Sequence, residues 1–352
     1  MMKTGLLENE PKGTHTGTLL FALSERERRI FFPDFDFSVN CLGGLEAAMI
    51  DPSTLDAAGW EDALTEFNPR VLVTAWSGKT VPEQWYDSRG CALEYVCHVT
   101  GSVRKVVPRT LLERELCVTN WGATITHTIA EHALLMVLGL LRNVPLWESA
   151  LDREEHALPL SRNLKTRSLR GKRVGIHGFG AIAREIARLL KPFQVELCAY
   201  SQGVPDSHFV AHEVIQLKRL ESLFEQCDVV IECEGLTPEN RGVVDEAMLR
   251  RLPRDAVFVN VARADLTDEE ALYRLAQEGD IRLGLDVFQE EPLRRDSPMR
   301  SLSGAWISPH IAGPTWDTYP VCGEHALQNI RKFSKGAALS GVVDLAIHDR
   351  ST

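Results

Sequence analysis

The sequence lacks several features that would point to particular classes of protein. It has no excess of positive charge, since 39 Lys and Arg face 49 Asp and Glu for a formal net charge of −10, which argues against a nucleic-acid or anionic-membrane surface. Its most apolar run, residues 133–141, is much shorter than the roughly 20 residues that cross a bilayer. The opening MMKTGLLENEPKGTHTG lacks the apolar segment of a signal peptide and reads as a short disordered lead-in. We therefore expect a soluble cytoplasmic protein without nucleic-acid or membrane partners.

The eight cysteines show no metal-type pairing such as CxxC. Most of them lie inside apolar runs, as in YVCHV and VELCAY. We expect reduced core residues in a reducing compartment, and no metal site.

What the sequence does contain is two series of short apolar strands that alternate with helical patterns. Its 352 residues are enough for about two domains, and the alternation predicts α/β domains with mainly parallel sheets. In the first series we predict a helix at 51–67 and strands at 18–24, 70–76, 93–101 and 115–120. The helix predicted at 127–143 is apolar on nearly every side, so it should be buried or shared with a partner chain. After a polar stretch at 152–172, the second series comprises KRVGIHG, AREIARLLK, QVELCAY, DVVIECE, AVFVNVA, IRLGLDV and AWISPH.

The second series opens on a glycine-rich turn between a strand and a helix. The hexapeptide GFGAIA at 178–183 fits the pattern GxGxxG/A. Gly178 permits the tight turn, Gly180 lets the backbone approach a pyrophosphate, and the small Ala183 lets helix and strand pack closely. The helix N-terminus then offers N–H groups to phosphates. This pattern predicts a dinucleotide site.

The acidic residue that usually binds the ribose hydroxyls of the dinucleotide, termed the ribose-reading acid, is missing from the position expected for it. It should close the second strand of the unit, about 20 residues after the glycines. Ser201 stands there, and no Arg or Lys follows it directly. The sequence therefore leaves the choice between NAD and NADP as the cofactor open.

Three further motifs place a charged or titratable residue beyond the carboxyl end of an apolar strand. They are Arg263 after AVFVNVA, Glu291 in GLDVFQEEP and His310 in ISPHIAGPT. Singly, each is explained as a surface or loop residue. As a set after one dinucleotide loop, they favour a ligand site, because that edge of an open α/β sheet is where ligands bind.

With these motifs the sequence resembles the D-isomer-specific 2-hydroxyacid dehydrogenases over about residues 70–330. NVARADLTDEEAL, GLDVFQEEP and SPHIAG are similar to the arginine, glutamate and histidine motifs of that family. ECEGLTPENRGVVD looks like its cofactor-covering loop, and TIAEHALLMVLGLLRN like its interdomain and dimer helix. We predict two doubly wound parallel-sheet domains with a cleft between them: a flavodoxin-like substrate domain at 1–122, completed by 318–352, and a Rossmann domain at 123–317. A homodimer would form through 127–143.

The resemblance implies that Arg263, Glu291 and His310 are the catalytic set. Arg263 would hold the carboxylate of a 2-oxo acid and polarise its carbonyl, hydride would come from the nicotinamide, and His310 would protonate the alkoxide. Glu291, if it bonds the imidazole, would favour its protonated form, and it separates this chain from the formate dehydrogenase branch, where Gln is expected. The predicted cofactor-binding residues are Gly178, Phe179, Gly180, Ala181, Ile182, Ser201, Thr237, Val261, Ala262, Gly313 and Asp286, the last as the contact of the nicotinamide carboxamide.

The chain departs from the family in its substrate loop, HVTGSVRKVVP at 98–108, which lacks the usual Asp of a GVGxDNID-like loop. The added Arg104 and Lys105 either read an extra acidic group on the substrate or are solvated or at an interface. Ala264 replaces the usual glycine after the arginine, which is acceptable unless the backbone needs a positive φ. Trp121 and Trp316 either wall the pocket or serve in packing. The predicted substrate-binding residues are Gly101, Ser102, Val103, Arg263, His310, Trp76 and Ser77.

We predict an NAD(P)-dependent oxidoreductase that interconverts a small 2-oxo acid and its D-2-hydroxy acid, with glyoxylate and hydroxypyruvate as candidates. Two alternatives stay open. A dinucleotide-sensing binding protein like the corepressor relatives would keep the same Arg–Glu–His set. A phosphite-type dehydrogenase would use Arg263 to bind a different anion.

Overall fold

A computed structural model of the chain describes residues 17–38, 41–152 and 164–350. The lead-in as far as residue 16 lies outside the described residues, as do residues 153–163 of the polar stretch. The chain divides into two compact units. The first runs to Thr124 and resumes at Trp316, and the second spans Ile125–Thr315.

The elements alternate along the chain as the apolar runs predict. The strands are β1 (Thr18–Ala22), β2 (Cys41–Leu42), β3 (Leu45–Ile50), β4 (Val71–Thr74), β5 (Tyr95–His98), β6 (Cys117–Thr119), β7 (Arg173–His177), β8 (Glu196–Tyr200), β9 (Ile215–Gln216), β10 (Val229–Glu232), β11 (Ala256–Asn260), β12 (Ile281–Leu285) and β13 (Ala305–Ile307). The helices are α1 (Glu25–Phe31), α2 (Ala57–Phe67), α3 (Glu83–Tyr86), α4 (Arg109–Glu113), α5 (Thr126–Leu141), α6 (Trp147–Asp152), α7 (Ala181–Leu190), α8 (Asp206–His212), α9 (Leu220–Gln226), α10 (Glu246–Leu249), α11 (Glu269–Glu278), α12 (Tyr319–Ser334) and α13 (Leu345–Arg350).

The first unit contains a 6-stranded sheet in the order β2-β3-β1-β4-β5-β6. Its strands pair in parallel except β2 and β3, which form an antiparallel pair at one edge that the sequence patterns do not reveal. Without β2, the order is that of a flavodoxin-like sheet. The described part of the C-terminal segment returns to this unit, where α12 packs on α1 and β5.

The helix predicted at 51–67 begins later than expected. Asp51 instead caps a short 3-10 turn at Pro52–Thr54, with its carboxylate accepting from the N–H of Ser53. Asp56 then caps α2, whose Gly59 N–H donates to Oδ1 of Asp56 at 2.8 Å. Two acidic caps in sequence therefore make two separate turns rather than one helix.

The second unit contains a 7-stranded sheet in the order β13-β12-β11-β10-β7-β8-β9, and all of its pairs are parallel. Six of these strands follow the Rossmann order, and β13 extends the edge beside β12. The strand order reverses between β7 and β10, which is the switch point where such sheets bind ligands. The α/β fold class predicted for the two domains is confirmed.

The sheet of the second unit is covered on both faces, which is why most residues of its strands are apolar. Alternate residues of β10 point to opposite sides: Val229 and Ile231 join a core with α5 and α7, whereas Val230 joins a core with α9 and α11. Helix α5 is buried on several sides, although Leu135 remains 52% exposed.

Among the described residues, no single helix is both long and apolar enough to span a membrane. When adjacent helices are considered together, the bent pair Thr126–Leu141 and Val144–Leu151 is long and apolar enough, by length and composition alone. The eight cysteines are free, and Cys97, Cys198, Cys227 and Cys322 are buried in the cores.

Candidate active site

The glycine turn lies at the carboxyl end of β7, at the switch point of the second sheet. Gly178 has φ +83°, and its N–H donates to the carbonyl of Tyr200 at 2.8 Å. A Cβ at Gly178 would lie 2.6 Å from the Cα of Glu234, so a side chain there would collide with backbone. Both the turn and the close approach therefore require glycine.

The start of α7 is open. Gly180 precedes the helix without a side-chain cap, and a Cβ there would meet no atom within 4 Å. Phe179 turns its ring into the core, where it stacks on Phe209 with ring centroids 4.6 Å apart. The backbone of this turn and the first residues of the helix, including Ala181 and Ile182, thus form an uncovered cradle that fits a pyrophosphate.

Two of the other predicted cofactor residues follow strands of the same sheet, and a third lies in a loop beyond β10. Ser201 comes directly after β8, and its hydroxyl donates to Oε2 of Glu234 at 3.1 Å. Thr237 lies in the loop after β10, with its N–H bound to Oδ1 of Asn240 at 2.7 Å. Val261 directly follows β11. The sequence pattern did not reveal Glu234, because it lies in the loop after β10, and β10 does not directly follow β8 in the chain.

Beside the glycine turn lies a buried ion pair that the sequence patterns also missed. His177 and Glu232 face each other in the register of β7 and β10, with 2.7 Å between Nδ1 and Oε2. Their side chains are only 4% and 0% exposed. Burial alone would lower the pKa of His177, but the charge and hydrogen bond of Glu232 outweigh it, so the pKa is raised. Oε1 of Glu232 also accepts from the N–H of Glu234 at 2.9 Å.

Arg263 is presented by a turn that Asn260 organises at the end of β11. The Asn260 side chain accepts from the N–H of Ala262 at 2.9 Å and donates to the carbonyl of Arg263 at 3.0 Å. Burial lowers the pKa of Arg263, while the charge of Glu291 raises it. A guanidinium keeps its charge under such shifts, so a half-buried cation faces this edge of the sheet. Ala264, which begins a 3-10 turn, has no positive φ, so the alanine fits without strain.

Glu291 and His310 form a hydrogen-bonded pair. Nδ1 of His310 lies 2.6 Å from Oε2 of Glu291. The side chain of His310 is 45% exposed and that of Glu291 is 35% exposed. The other oxygen of Glu291 accepts from the N–H of Phe288 at 3.0 Å. The carboxylate is thereby fixed on the backbone and orients the imidazole.

Asp286 anchors the loop that carries His310. Its carboxylate is 1% exposed and accepts from the hydroxyl of Ser308 at 2.6 Å. It also accepts from the N–H groups of Ile311 and Ala312, each at 2.9 Å. Asp286, which is predicted from the sequence as a contact of the nicotinamide carboxamide, therefore anchors the loop that carries His310.

A second histidine supports this anchor. Nε2 of His132 on α5 lies 2.9 Å from the hydroxyl of Ser308 and 3.6 Å from Asp286. Gly313 follows the anchored segment and is half-buried. His132 gave no sequence signal apart from being a polar residue in an apolar helix.

The predicted substrate residues other than Arg263 and His310 belong to the first unit. The N–H of Ser77 donates to Oε1 of the buried Glu27 at 2.6 Å, and its hydroxyl bonds the other oxygen. These polar groups of Ser77 are therefore engaged inside the unit. Trp76 is 50% exposed and packs against Phe31 and Tyr319, with centroid distances of 5.1 and 5.9 Å.

In the substrate loop of the first unit, the side chain of Val103 is wholly buried, so only its backbone is suited to a ligand. A Cβ on Gly101 would lie 2.7 Å from the ring of Trp121, which favours a packing role for this tryptophan. Ser102 is half-buried. Arg104 and Lys105 are exposed, and Trp316 is 81% exposed.

Residues 134–312 match the family model described as D-isomer specific 2-hydroxyacid dehydrogenase, NAD binding domain. The chain is 28% identical over 234 residues to D-3-phosphoglycerate dehydrogenase of Methanocaldococcus jannaschii, which covers 66% of this chain and 44% of that protein. It is 29% identical over 226 residues to glyoxylate reductase of Korarchaeum cryptofilum, covering 64% and 68%. The chain thus spans less than half of that phosphoglycerate dehydrogenase and about two thirds of that glyoxylate reductase.

Among solved structures, D-mandelate dehydrogenase of Rhodotorula graminis has a similar fold, with a TM-score of 0.78 and 18% identity over 93% of this chain and 97% of that one. The family match covers slightly more than half of the sequence and contains the glycine turn. The chain therefore carries the NAD-binding domain of this family, and it belongs to the D-isomer specific 2-hydroxyacid dehydrogenases.

Proposed function

We propose that the chain catalyses the NAD(P)-dependent interconversion of a small 2-oxo acid and its D-2-hydroxy acid, with glyoxylate and hydroxypyruvate as the first candidates. The observation that carries the proposal is the 2.6 Å contact between His310 and Glu291, in the unit that also contains Arg263 and the glycine turn. An anchored acid–base group and a half-buried cation are the two groups that reduction of a 2-oxo acid requires.

The glycine turn of the second unit fits a dinucleotide, since Gly178 approaches backbone closely and Gly180 leaves the start of α7 open. When bound, the dinucleotide supplies the hydride, which no side chain can provide. Besides the turn itself, the residues that would hold it are Ser201, Thr237, Val261, Ala262, Asp286 and Gly313.

Arg263 would bind the carboxylate of the substrate through its planar fork and polarise the adjacent carbonyl. His310 would donate the proton from Nε2 to the developing alkoxide, since its Nδ1 is engaged by Glu291. Glu291 would keep that ring in one orientation. In the oxidative direction the same nitrogen would accept the proton of the hydroxyl group.

A homodimer and a cytoplasmic location complete the proposal. Exposed apolar side chains on α5 and α6 support the dimer: Leu135 is 52%, Trp147 46% and Leu151 64% exposed. Free cysteines support the reducing location. Light scattering of the purified protein tests the dimer, and Leu135→Glu should shift it towards the monomer.

The experiment that tests the activity is a matrix of substrates against both cofactors. Glyoxylate, hydroxypyruvate, pyruvate, phosphohydroxypyruvate and longer 2-oxo acids are each assayed with NADH and with NADPH. Turnover of a 2-oxo acid at an ordinary enzymatic rate supports the proposal. Cofactor-dependent assembly without turnover would favour a corepressor-like protein, and reduction of NAD driven by phosphite would favour a phosphite dehydrogenase.

A further inference from the structure

The carboxylate of Glu234 stands where the sequence lacks a ribose-reading acid. In Rossmann folds, an acid at the end of the second strand binds the ribose hydroxyls of NAD and repels the 2′-phosphate of NADP. Here the second strand is β8, and Ser201 follows it. The Ser201 hydroxyl donates to Oε2 of Glu234 at 3.1 Å, which brings a negative charge from the loop after β10 to the end of β8.

The backbone of Glu234 is tied to the glycine turn and to the buried ion pair. Its N–H donates to Oε1 of Glu232 at 2.9 Å, and the other oxygen of Glu232 is paired with His177. Its Cα lies 2.6 Å from the place where a Cβ on Gly178 would stand. The position of Glu234 is therefore set by the same backbone that forms the pyrophosphate cradle.

The side chain of Glu234 is equally constrained. Oε1 accepts from the N–H of Gly235 at 3.0 Å while Oε2 accepts from Ser201. A carboxylate has further lone pairs on both oxygens, so hydroxyl donors can still be accepted. The residue is half-buried rather than covered.

Among the described residues, neither Lys218 nor His177 forms a salt bridge with Glu234. Lys218, two residues beyond β9, bonds Gln216 at 2.6 Å and lies 3.9 Å from Asp206. His177 is already paired with Glu232. A 2′-phosphate placed beside Ser201 would thus meet the negative charge of Glu234, which the Ser201 hydroxyl contacts directly.

We propose that Glu234 is the ribose-reading acid of this chain, supplied by the loop after β10, and that it makes the protein select NAD(H) over NADP(H). Ser201 is then a positioning residue that holds this carboxylate. The inference rests on the proposed function, because it assumes that the glycine turn binds a dinucleotide.

The test measures direct binding of NADH and of NADPH to the full chain by nicotinamide fluorescence, without a substrate. We expect the wild type to bind NADH at least about tenfold more tightly than NADPH. Glu234→Gln keeps the shape of the side chain and removes its charge, so this preference should fall by about tenfold or more, mainly through tighter NADPH binding. Glu270→Gln, on α11 with a side chain that is 90% exposed, is the matched control and should leave the preference unchanged.

Ser201→Ala should weaken NADH binding severalfold, and Ser201→Thr should restore it, because threonine keeps the hydroxyl. A wild type that prefers NADPH, or a Glu234→Gln protein with an unchanged preference, would overturn the inference and leave the cofactor site intact. Preferential NADH binding without turnover of any 2-oxo acid would overturn the proposed activity alone. If neither dinucleotide binds, both fail.

Discussion

Nδ1 of His310 lies 2.6 Å from Oε2 of Glu291, and the second oxygen of that carboxylate is held by the backbone N–H of Phe288. The imidazole is therefore oriented by a side chain that the backbone itself fixes. In a reductase this arrangement holds a proton donor in one position before the substrate arrives.

Replacing Glu291 should affect turnover more than substrate binding. In Glu291→Ala the imidazole loses its orienting partner, and we expect kcat for 2-oxo acid reduction to fall by about 100-fold with KM changed less than about threefold. Glu291→Gln retains an oxygen that can accept from Nδ1, so its loss should be smaller. Steady-state kinetics of both variants provide the measurement. An equal rise in KM for both variants would instead indicate that Glu291 binds the substrate.

Arg263 should govern substrate binding and turnover together. Arg263→Ala removes the cation and Arg263→Lys removes only the planar fork, so we expect KM to rise and kcat to fall in both, by at least about tenfold in the lysine variant. Arg254, whose side chain is 85% exposed, offers a control in Arg254→Ala. The assignment of Arg263 is wrong if Arg263→Ala keeps the kinetic constants of the wild type.

The buried His177–Glu232 pair should show strong coupling in stability. Removing either partner leaves the other unpaired in the core, so His177→Leu and Glu232→Leu should each lower the free energy of unfolding by about 3–5 kcal/mol. The double variant should recover most of that loss, because leucines pack in place of the charges. Urea unfolding of all four proteins, with hydrogen exchange in β7 and β10, gives the coupling energy. Losses that simply add in the double variant would rule out the pair.

In the first unit, a buried neutral histidine should make stability depend on pH. His98 is 3% exposed between the hydroxyls of Thr74 and Thr100, and burial lowers its pKa from 6.5 to about 4. The unfolded chain takes up this proton near 6.5 and the folded chain only near 4. The stabilisation is thus complete above pH 6.5 and is lost as the pH falls towards 4, by up to roughly 3 kcal/mol.

Carboxylates of the protein also titrate in this pH range, so the comparison with His98→Gln is needed to isolate the contribution of His98. We expect the free energy of unfolding of the wild type to fall more steeply between pH 7 and 4 than that of the variant. Hydrogen exchange of the β4 and β5 segments, measured in urea, provides this free energy. The half-buried His127 provides a control in His127→Gln, which should behave as the wild type does. Parallel curves for the wild type and His98→Gln would contradict the buried neutral ring.

Local patterns were enough to predict most of the parallel strands and the glycine turn, but not β2, β3 or β9. A strand buried on both faces is a largely apolar run, as in β11. The turn after β7 needs glycine because of its own positive φ, which a local motif can indicate. The start of α2 was misplaced because Asp51 and Asp56 are both good caps, and the sequence does not indicate which one begins the helix.

Contacts between strands that are distant in the chain could not be predicted in the same way. Glu234 reaches Ser201 and Glu232 reaches His177 only because β10 lies beside β7 in the folded sheet. Asp286 illustrates the same limit. Its burial under the His310 loop depends on where that loop folds back, which no local motif specifies.

The most direct test of the account is the kcat for reduction of glyoxylate and hydroxypyruvate by His310→Gln, measured beside the wild type with NADH binding followed in the same preparations. The account predicts that kcat falls roughly 100- to 10,000-fold while NADH affinity stays within about twofold, because only the proton donor has been removed. Turnover at the wild-type rate in this variant would contradict it.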